Sequence, residues 1–275
     1  MSDPLPVGLI AGNGIFPRLF ARGARKAGVS VVAVAHVGET EREIEDEVSA
    51  CTWIRVGELG KIIRVFRQAG CRQAAMAGGI KKARLFSGFR PDLRGAAFLA
   101  RMRTLHDDRI LRGIAAELES EGIQVIPSTT YLPELLPAPG VLGRKKPRAR
   151  DSTDVAFGRR VARAVGAFEV GQTVVVRAGL VLAVEAVEGT DAAIRRGGEL
   201  GRGGAVVVKA SKPGQDLRFD VPAVGPETIR LMADVGARVL AVEAGRTLLL
   251  EREALIAAAD AAGIVVLAFD PAEEP

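Results

Sequence analysis

The stretch V7-G-L-I-A-G-N-G-I-F-P-R-L-F-A-R-G-A-R-K-A-G28, followed by V31-V-A-V-A35, decides the fold of this chain. Its apolar run of five residues reads as a strand, and a glycine turn then leads into a helical pattern over 18–27 that Gly28 stops. A second β-branched run follows at once. Strand–helix–strand in this order is the unit of a parallel sheet. Working outward, strands are expected at 52–56, 74–77 and 124–127. Helices are expected at 60–69, closed by Gly70, and over 96–121, closed by Gly122. The alternation predicts an α/β fold whose residues 1–132 form a Rossmann-like, doubly wound parallel sheet.

Between 133 and 150 the composition shifts. P-E-L-L-P-A-P-G-V-L-G-R-K-K-P-R-A-R carries four prolines and a basic cluster, the pattern of an interdomain linker. Residues 151–275 then read as a second, mixed α/β domain. Its helices are expected from Asp151 or Ser152 to 165, at 227–235 and at 254–262, and its strands at 173–177, 180–186, 205–209, 239–242, 247–250 and 264–269. No period of 20–50 residues recurs, which excludes a solenoid.

With 275 residues, 48% of them hydrophobic, the chain can bury a sizeable core, and its length favours two domains. Its apolar runs are far shorter than the roughly 20 residues of a membrane helix, and the N-terminus shows no signal-peptide pattern, so a cytoplasmic protein is expected. Cys51 and Cys71 lack metal-ligand spacing and read as buried thiols. A net charge of +5 suits nucleic acid, an anionic membrane or phosphorylated substrates. Aromatics make up only 4% of the residues, and no nucleic-acid signature is present, which argues against nucleic acid.

Several clusters carry the chemistry. After the first strand, Gly12, Asn13 and Gly14 lead into a helix. Such a turn lets backbone N–H groups approach a phosphate, the alternative being a tight turn alone. The dinucleotide fingerprint is incomplete: Pro17 stands at the third glycine, and His36 and Val37 stand where a carboxylate would close the second strand, which disfavours a nicotinamide-dependent oxidoreductase. Gly78, Gly79 and Lys81 form a second turn expected to face the same crevice, the alternative being a glycine-eased turn with solvated lysines. His106, Asp107 and Asp108 offer carboxylates for a metal or ribose, or simply for a helix N-terminus. Glu185, Glu188, Thr190 and Asp191 lie behind a strand, with Thr190 placed to cap a short helix or hold an anion.

The most polar segment is K209-A-S-K-P-G-Q-D-L-R-F-D-V-P-A-V-G-P-E-T228. If 216–221 is extended, Asp216, Arg218 and Asp220 share one face and Leu217, Phe219 and Val221 the other. Carboxylates that can hold a hard divalent cation, beside the cations of Lys209, Lys212 and Arg218, suit chemistry on a phosphate ester.

The blocks G8-L-I-A-G-N-G-I-F-P17, A77-G-G-I-K81, D151-S-T-D-V-A-F-G158, G171-Q-T-V-V-V176, A183-V-E-A-V-E-G-T-D191 and 209–225 span nearly the whole chain. In their order and length they resemble the UDP-2,3-diacylglucosamine pyrophosphatases of lipid A biosynthesis, in the two-domain form unrelated to calcineurin-like phosphoesterases. The resemblance implies hydrolysis of UDP-2,3-diacylglucosamine to UMP and 2,3-diacylglucosamine 1-phosphate (lipid X) with Mg2+ or Mn2+. It also implies that substrate lies between the domains.

By that resemblance Asp220 is the essential aspartate, as metal ligand or general base, with Asp216 as its neighbour. Glu188, Thr190 and Asp191 join the site. An acylated substrate further implies peripheral contact with the cytoplasmic face of the inner membrane, assisted by Arg144, Lys145, Lys146, Arg148 and Arg150, unless that run is a solvated linker. A homodimer is an open option. The rival reading is a non-catalytic module that binds a nucleotide sugar or nucleic acid and regulates something else.

Overall fold

The computed structural model describes residues 4–80, 90–102 and 107–273. Lys81 and the side chains of His106, Asp107 and Asp108, singled out above, lie outside the described residues. The chain forms two compact units. The first comprises Met1–Pro133 together with Asp216–Asp220, and the second comprises Glu134–Gln215 together with Val221–Pro275.

In the first unit, β1 (Val7–Ala11) leads to α1 (Phe16–Lys26), β2 (Val31–His36), β3 (Ala50–Ile54), α2 (Leu59–Gln68) and β4 (Gln73–Ala77). After these come α3 (Leu93–Arg101), α4 (Asp107–Ser120) and β5 (Gln124–Val125). All five strands are parallel, in the order β3-β2-β1-β4-β5. Pleat alternation explains the layers. Val32, Val34, Ala74 and Met76 face the cluster built by Ile62, Phe66, Phe98 and Leu118 of α2 to α4. Leu9 and the small buried residues Ala11, Ala33, Ala35, Ala75 and Ala77 are left for the opposite face, and α1 packs on β1, β2 and β4. The single helix expected over 96–121 is instead two, because the backbone turns extended at Met102 and ends α3.

The strand order reverses between β1 and β4, the point at which open α/β sheets bind ligands. There the two glycine turns meet. Gly12 N–H donates to the Ala77 carbonyl (2.8 Å) and Asn13 N–H to that of Gly79 (2.8 Å). A Cβ on Gly12 would collide with the Gly79 carbonyl and come within 2.6 Å of the Gly78 carbonyl carbon, while Gly78 itself adopts φ +81°. Gly12→Ala is therefore expected to destabilise this unit by about 2 kcal/mol or more in denaturant unfolding, since both colliding groups are backbone. A variant as stable as the parent would show that the turns can separate without cost.

The second unit contains β6 (Gly140–Val141), α5 (Ala149–Ala167), β7 (Thr173–Arg177), β8 (Leu180–Val184), α6 (Thr190–Gly201) and β9 (Val206–Lys209). Then follow β10 (Ala223–Val224), α7 (Pro226–Asp234), β11 (Val239–Glu243), β12 (Leu248–Leu249), α8 (Arg252–Ala262) and β13 (Val265–Phe269). Its main sheet runs β6-β13-β11-β9-β7-β8, with β9, β11 and β13 parallel and the remaining pairings antiparallel. The stretch expected as a linker contributes structure here. Gly140 and Val141 pair with Ala268 and Leu267, so residues 134–148 belong to the second unit.

The block 151–158 has a structural use. Asp151 accepts the Arg148 N–H (2.7 Å) at the start of α5 and pairs with Arg238, while Asp154 accepts the N–H groups of Ala178 and Gly179 (2.8 Å each) in the β7–β8 turn. Since Arg238 immediately precedes β11, α5 starts at the amino ends of the parallel strands and finishes at their carboxyl ends.

Candidate active site

In the first unit a buried polar group stands behind the glycine turns. His36 closes β2 with its Nδ1 2.9 Å from the Ala11 carbonyl, and burial holds its imidazole below the ordinary histidine range, against the opposing pull of that carbonyl. Thr40 Oγ1 accepts the His36 N–H (2.9 Å) and donates to the Ala11 carbonyl (2.6 Å). Asn13 Nδ2 donates to Glu39 Oε2 (3.1 Å). A carboxylate thus does stand at the carboxyl end of β2, three residues past the position where the fingerprint would place it. Glu39 and Thr40 were missed because they follow a glycine in what reads as a loop; a polar run directly after a buried strand was the available signal. The cysteines lie away from this chemistry: Cys71 is buried and Cys51 half-buried, and burial pushes both thiols up to about 11.

The charged segment departs from its expected form. Residues 216–221 are turns rather than a strand. Phe219 and Asp220 donate their backbone N–H groups to the Asp216 carbonyl (3.3 and 3.1 Å), and the Arg218 carbonyl accepts from Ser128 N–H (2.7 Å). Phe219 is buried in the first unit's core among the residues of α2 to α4. An isolated turn gains little by exposing an apolar face, and the core seat for Phe219 outweighs strand propensity. Because Ser128 lies just beyond β5, the excursion docks at the carboxyl edge of the sheet, the same edge as the glycine turns.

The strand alternation expected to align Asp216, Arg218 and Asp220 is replaced by this turn, in which Asp216 and Arg218 meet. Arg218 grips Asp216 through Nε (3.0 Å) and Nη2 (2.9 Å), and its Nη1 reaches Glu119 (2.9 Å). The bidentate guanidinium holds the Asp216 carboxyl below the usual carboxylate range. Asp216 and Arg218 thus hold one another within the turn, and Asp220, half-buried, ends it.

The second unit contains a cavity of about 350 Å³ lined by Glu188, Gly189, Thr190, Asp191, Lys209, Ala223 and Thr228. Its floor is Lys209, the last residue of β9 and only 5% exposed. Lys209 Nζ donates to Thr190 Oγ1 (2.9 Å), which donates to Glu185 Oε1 (2.7 Å). Both α6 and α7 begin at the cavity wall, the first through Thr190 and Asp191 and the second near Thr228. The Lys209 ammonium and the first turns of α6 and α7 give this cavity a positive end, beside the carboxylates of Glu188 and Asp191. Lys209, Glu188, Thr190 and Asp191 are thus brought together as expected, and α6 is a helix of 12 residues rather than a short one.

Lys212 does not line the cavity. It pairs with Glu169 (2.6 Å) at the end of α5. A further residue missed from sequence is Glu243, at the carboxyl end of β11, which accepts from the backbone N–H (2.7 Å) and the hydroxyl of Ser211 and so fixes the chain leaving Lys209. Among the described residues no three His, Cys, Asp or Glu side chains converge as a metal cluster.

Residues 6–135 match the domain model described as the LpxI N-terminal domain, and residues 138–267 that of the LpxI C-terminal domain. The chain is 37% identical over 280 aligned positions to the UDP-2,3-diacylglucosamine pyrophosphatase LpxI of Caulobacter vibrioides, covering 98% of this chain and 99% of that protein. Among solved structures, the biotin carboxylase domain of the Hydrogenobacter thermophilus 2-oxoglutarate carboxylase aligns at 15% identity with a TM-score of 0.26, covering 63% of this chain and 35% of that one; so slight a likeness bears on neither fold nor function.

Proposed function

Since this chain belongs to the LpxI family, whose two domain models it matches in order along most of its length, we propose that it hydrolyses the pyrophosphate bond of UDP-2,3-diacylglucosamine. The products are UMP and 2,3-diacylglucosamine 1-phosphate (lipid X), a step in lipid A biosynthesis. The observation that carries this reading is the cavity floored by Lys209. The Lys209 ammonium, held by Thr190 beside the first turns of α6 and α7, gives this cavity a positive end suited to a phosphate group of the substrate.

In the reaction, water attacks one phosphorus and the bond from that phosphorus to the bridging oxygen breaks, so negative charge must be balanced on the transferring group and on the departing phosphate. Lys209 and the N–H groups opening α6 and α7 balance it on the phosphate they hold. Thr190, fixed between Lys209 and Glu185, aims the ammonium. Asp220, presented by the turn that Phe219 anchors, is the carboxylate that acts on the attacking water.

A divalent cation would draw its protein ligands from carboxylates. Asp216 does not fit as its ligand, because both its oxygens already face the Arg218 guanidinium. By the resemblance to the family, Asp220 is the carboxylate that would hold Mg2+ or Mn2+ together with the substrate's own phosphate oxygens. When bound there, the ion supplies charge neutralisation at the phosphoryl oxygens.

The test is UMP release from UDP-2,3-diacylglucosamine in detergent micelles, with magnesium and with EDTA. Wild type is expected to turn over with magnesium and to stop in EDTA. Lys209→Met is expected to lose about 10²- to 10³-fold in rate, as for removal of one charge-stabilising donor. No release from a folded wild type would overturn the assignment in favour of a non-catalytic binding module.

No helix among the described residues is long and apolar enough to cross a membrane. Contact with the cytoplasmic face of the inner membrane is the mode of access we propose for an acylated substrate. The basic run 144–150 is poorly placed to guide it to the cavity. Arg144 binds Asp260 near the end of α8, and Arg148 opens α5, so the run lies at the amino ends of the parallel strands, whereas Lys209 closes a strand at its carboxyl end.

A further inference from the structure

At the carboxyl end of the second unit's sheet, three large apolar side chains face solvent: Phe168 is 81% exposed, Val170 48% and Val187 89%. They come from two segments that run side by side. Residues 170–172 follow α5, and residues 185–187 follow β8. The Glu185 N–H donates to the Thr173 carbonyl (2.8 Å), Gln172 N–H reaches Glu185 Oε2 (3.4 Å), and a Cβ on Gly171 would strike the Glu185 carbonyl. The collar they form adjoins the cavity, because Val187 directly precedes Glu188 and Gly189 of its lining.

An exposed phenylalanine beside two exposed valines is costly in water unless something covers it. The surrounding charge says what. Of the carboxylates beside the collar, Glu169 pairs with Lys212 (2.6 Å) and Glu188 with Arg196 (2.6 Å), while Asp191 lies exposed at the start of α6, four residues before Arg195. Arg163, near the end of α5, and Arg195, in the second turn of α6, are exposed at the same end of the sheet. An apolar collar with two paired acids and neighbouring guanidiniums complements an anionic lipid surface, where apolar side chains insert at the acyl boundary and cations meet headgroups.

We propose that the collar Phe168–Val170–Val187 docks the second unit on an anionic bilayer, so that the cavity floored by Lys209 opens toward the surface from which an acylated substrate is drawn. This rests on the hydrolytic reading above for the purpose of the contact, while the contact itself has its own readout. Both the collar and the cavity are placed by the same strand ends. The basic run at the opposite end of the sheet takes no part.

The test is flotation of the full chain with vesicles of phosphatidylglycerol and phosphatidylethanolamine. Wild type is expected to float, and the double variant Phe168→Ser/Val187→Ser to lose about tenfold or more of its bound fraction. Because both side chains are exposed, its thermal midpoint is expected to stay at the wild-type value, and so is its UMP release from a monomeric short-chain diacyl substrate. Lys145→Ala/Lys146→Ala is expected to float like wild type.

Wild type that does not float, or a collar variant that floats unchanged, overturns the proposal. A change in oligomeric state by light scattering with flotation unchanged also overturns it, assigning the collar to a second copy of the chain. Failure of the hydrolytic reading shows separately, as absence of UMP release even from the monomeric substrate.

Discussion

Replacing Asp220 with asparagine is expected to lower UMP release by about 10²- to 10⁴-fold, the range for loss of a positioned group that handles a proton in the transition state. The substitution keeps the size and removes the charge. The Phe219 side chain, the Arg218 carbonyl and the Asp216–Arg218–Glu119 chain, which help to place residue 220, are not altered. The thermal midpoint, measured beside the rate, separates a chemical loss from a folding loss. KM for the substrate should move far less than kcat if the carboxylate acts on water rather than holding the nucleotide sugar. Turnover within a few-fold of wild type would remove Asp220 from the mechanism and leave the cavity of the second unit as the part of the site still to be tested by Lys209→Met.

Phe219→Ala carries the largest expected effect on stability. The ring is 7% exposed and packs in the cluster that joins α2, α3 and α4 to one face of the parallel sheet. Truncating such a ring costs about 3–5 kcal/mol, partly as lost burial and partly as the cavity left behind. The same change releases the turn that presents Asp220, so activity should fall even at temperatures where the protein remains folded. Urea unfolding of the variant measures the first effect. A loss below about 1 kcal/mol would mean that the ring is held only loosely and that the turn owes its shape to the Asp216–Arg218 pair alone.

That segment also shows where reading the sequence stopped. Strands 7–11 and 31–36 were legible because both their faces are buried, which leaves continuous apolar runs, and the glycines after β1 and β4 stand where two turns must touch. Thr190 and Lys209 were legible as partners because each sits at the junction of a strand and a helix. The period of two over 216–221 misled, since alternation describes a strand only when a neighbouring strand is there to pair with it, whereas here Phe219 found its partners about a hundred residues or more away. An aspartate clamped by an arginine two residues on and an aspartate left to end a turn look alike in sequence. The prolines at 133, 137 and 139 suggested a linker, although the short pairing of Gly140 and Val141 with β13 draws the stretch into a sheet. Two-residue strands leave almost no periodic signal.

The five residues 216–220 have a consequence for how this protein can be divided. In sequence its two domain models are contiguous, and a cut near residue 136 looks harmless. In space, the first unit is completed by a loop encoded some eighty residues beyond that cut. A fragment ending at residue 133 would be released with an apolar socket where the ring of Phe219 belongs, and during synthesis the ribosome must make most of the second unit before that socket can be filled. The two halves are thus one inheritance: neither can be swapped, shuffled or expressed alone without carrying a five-residue piece of the other.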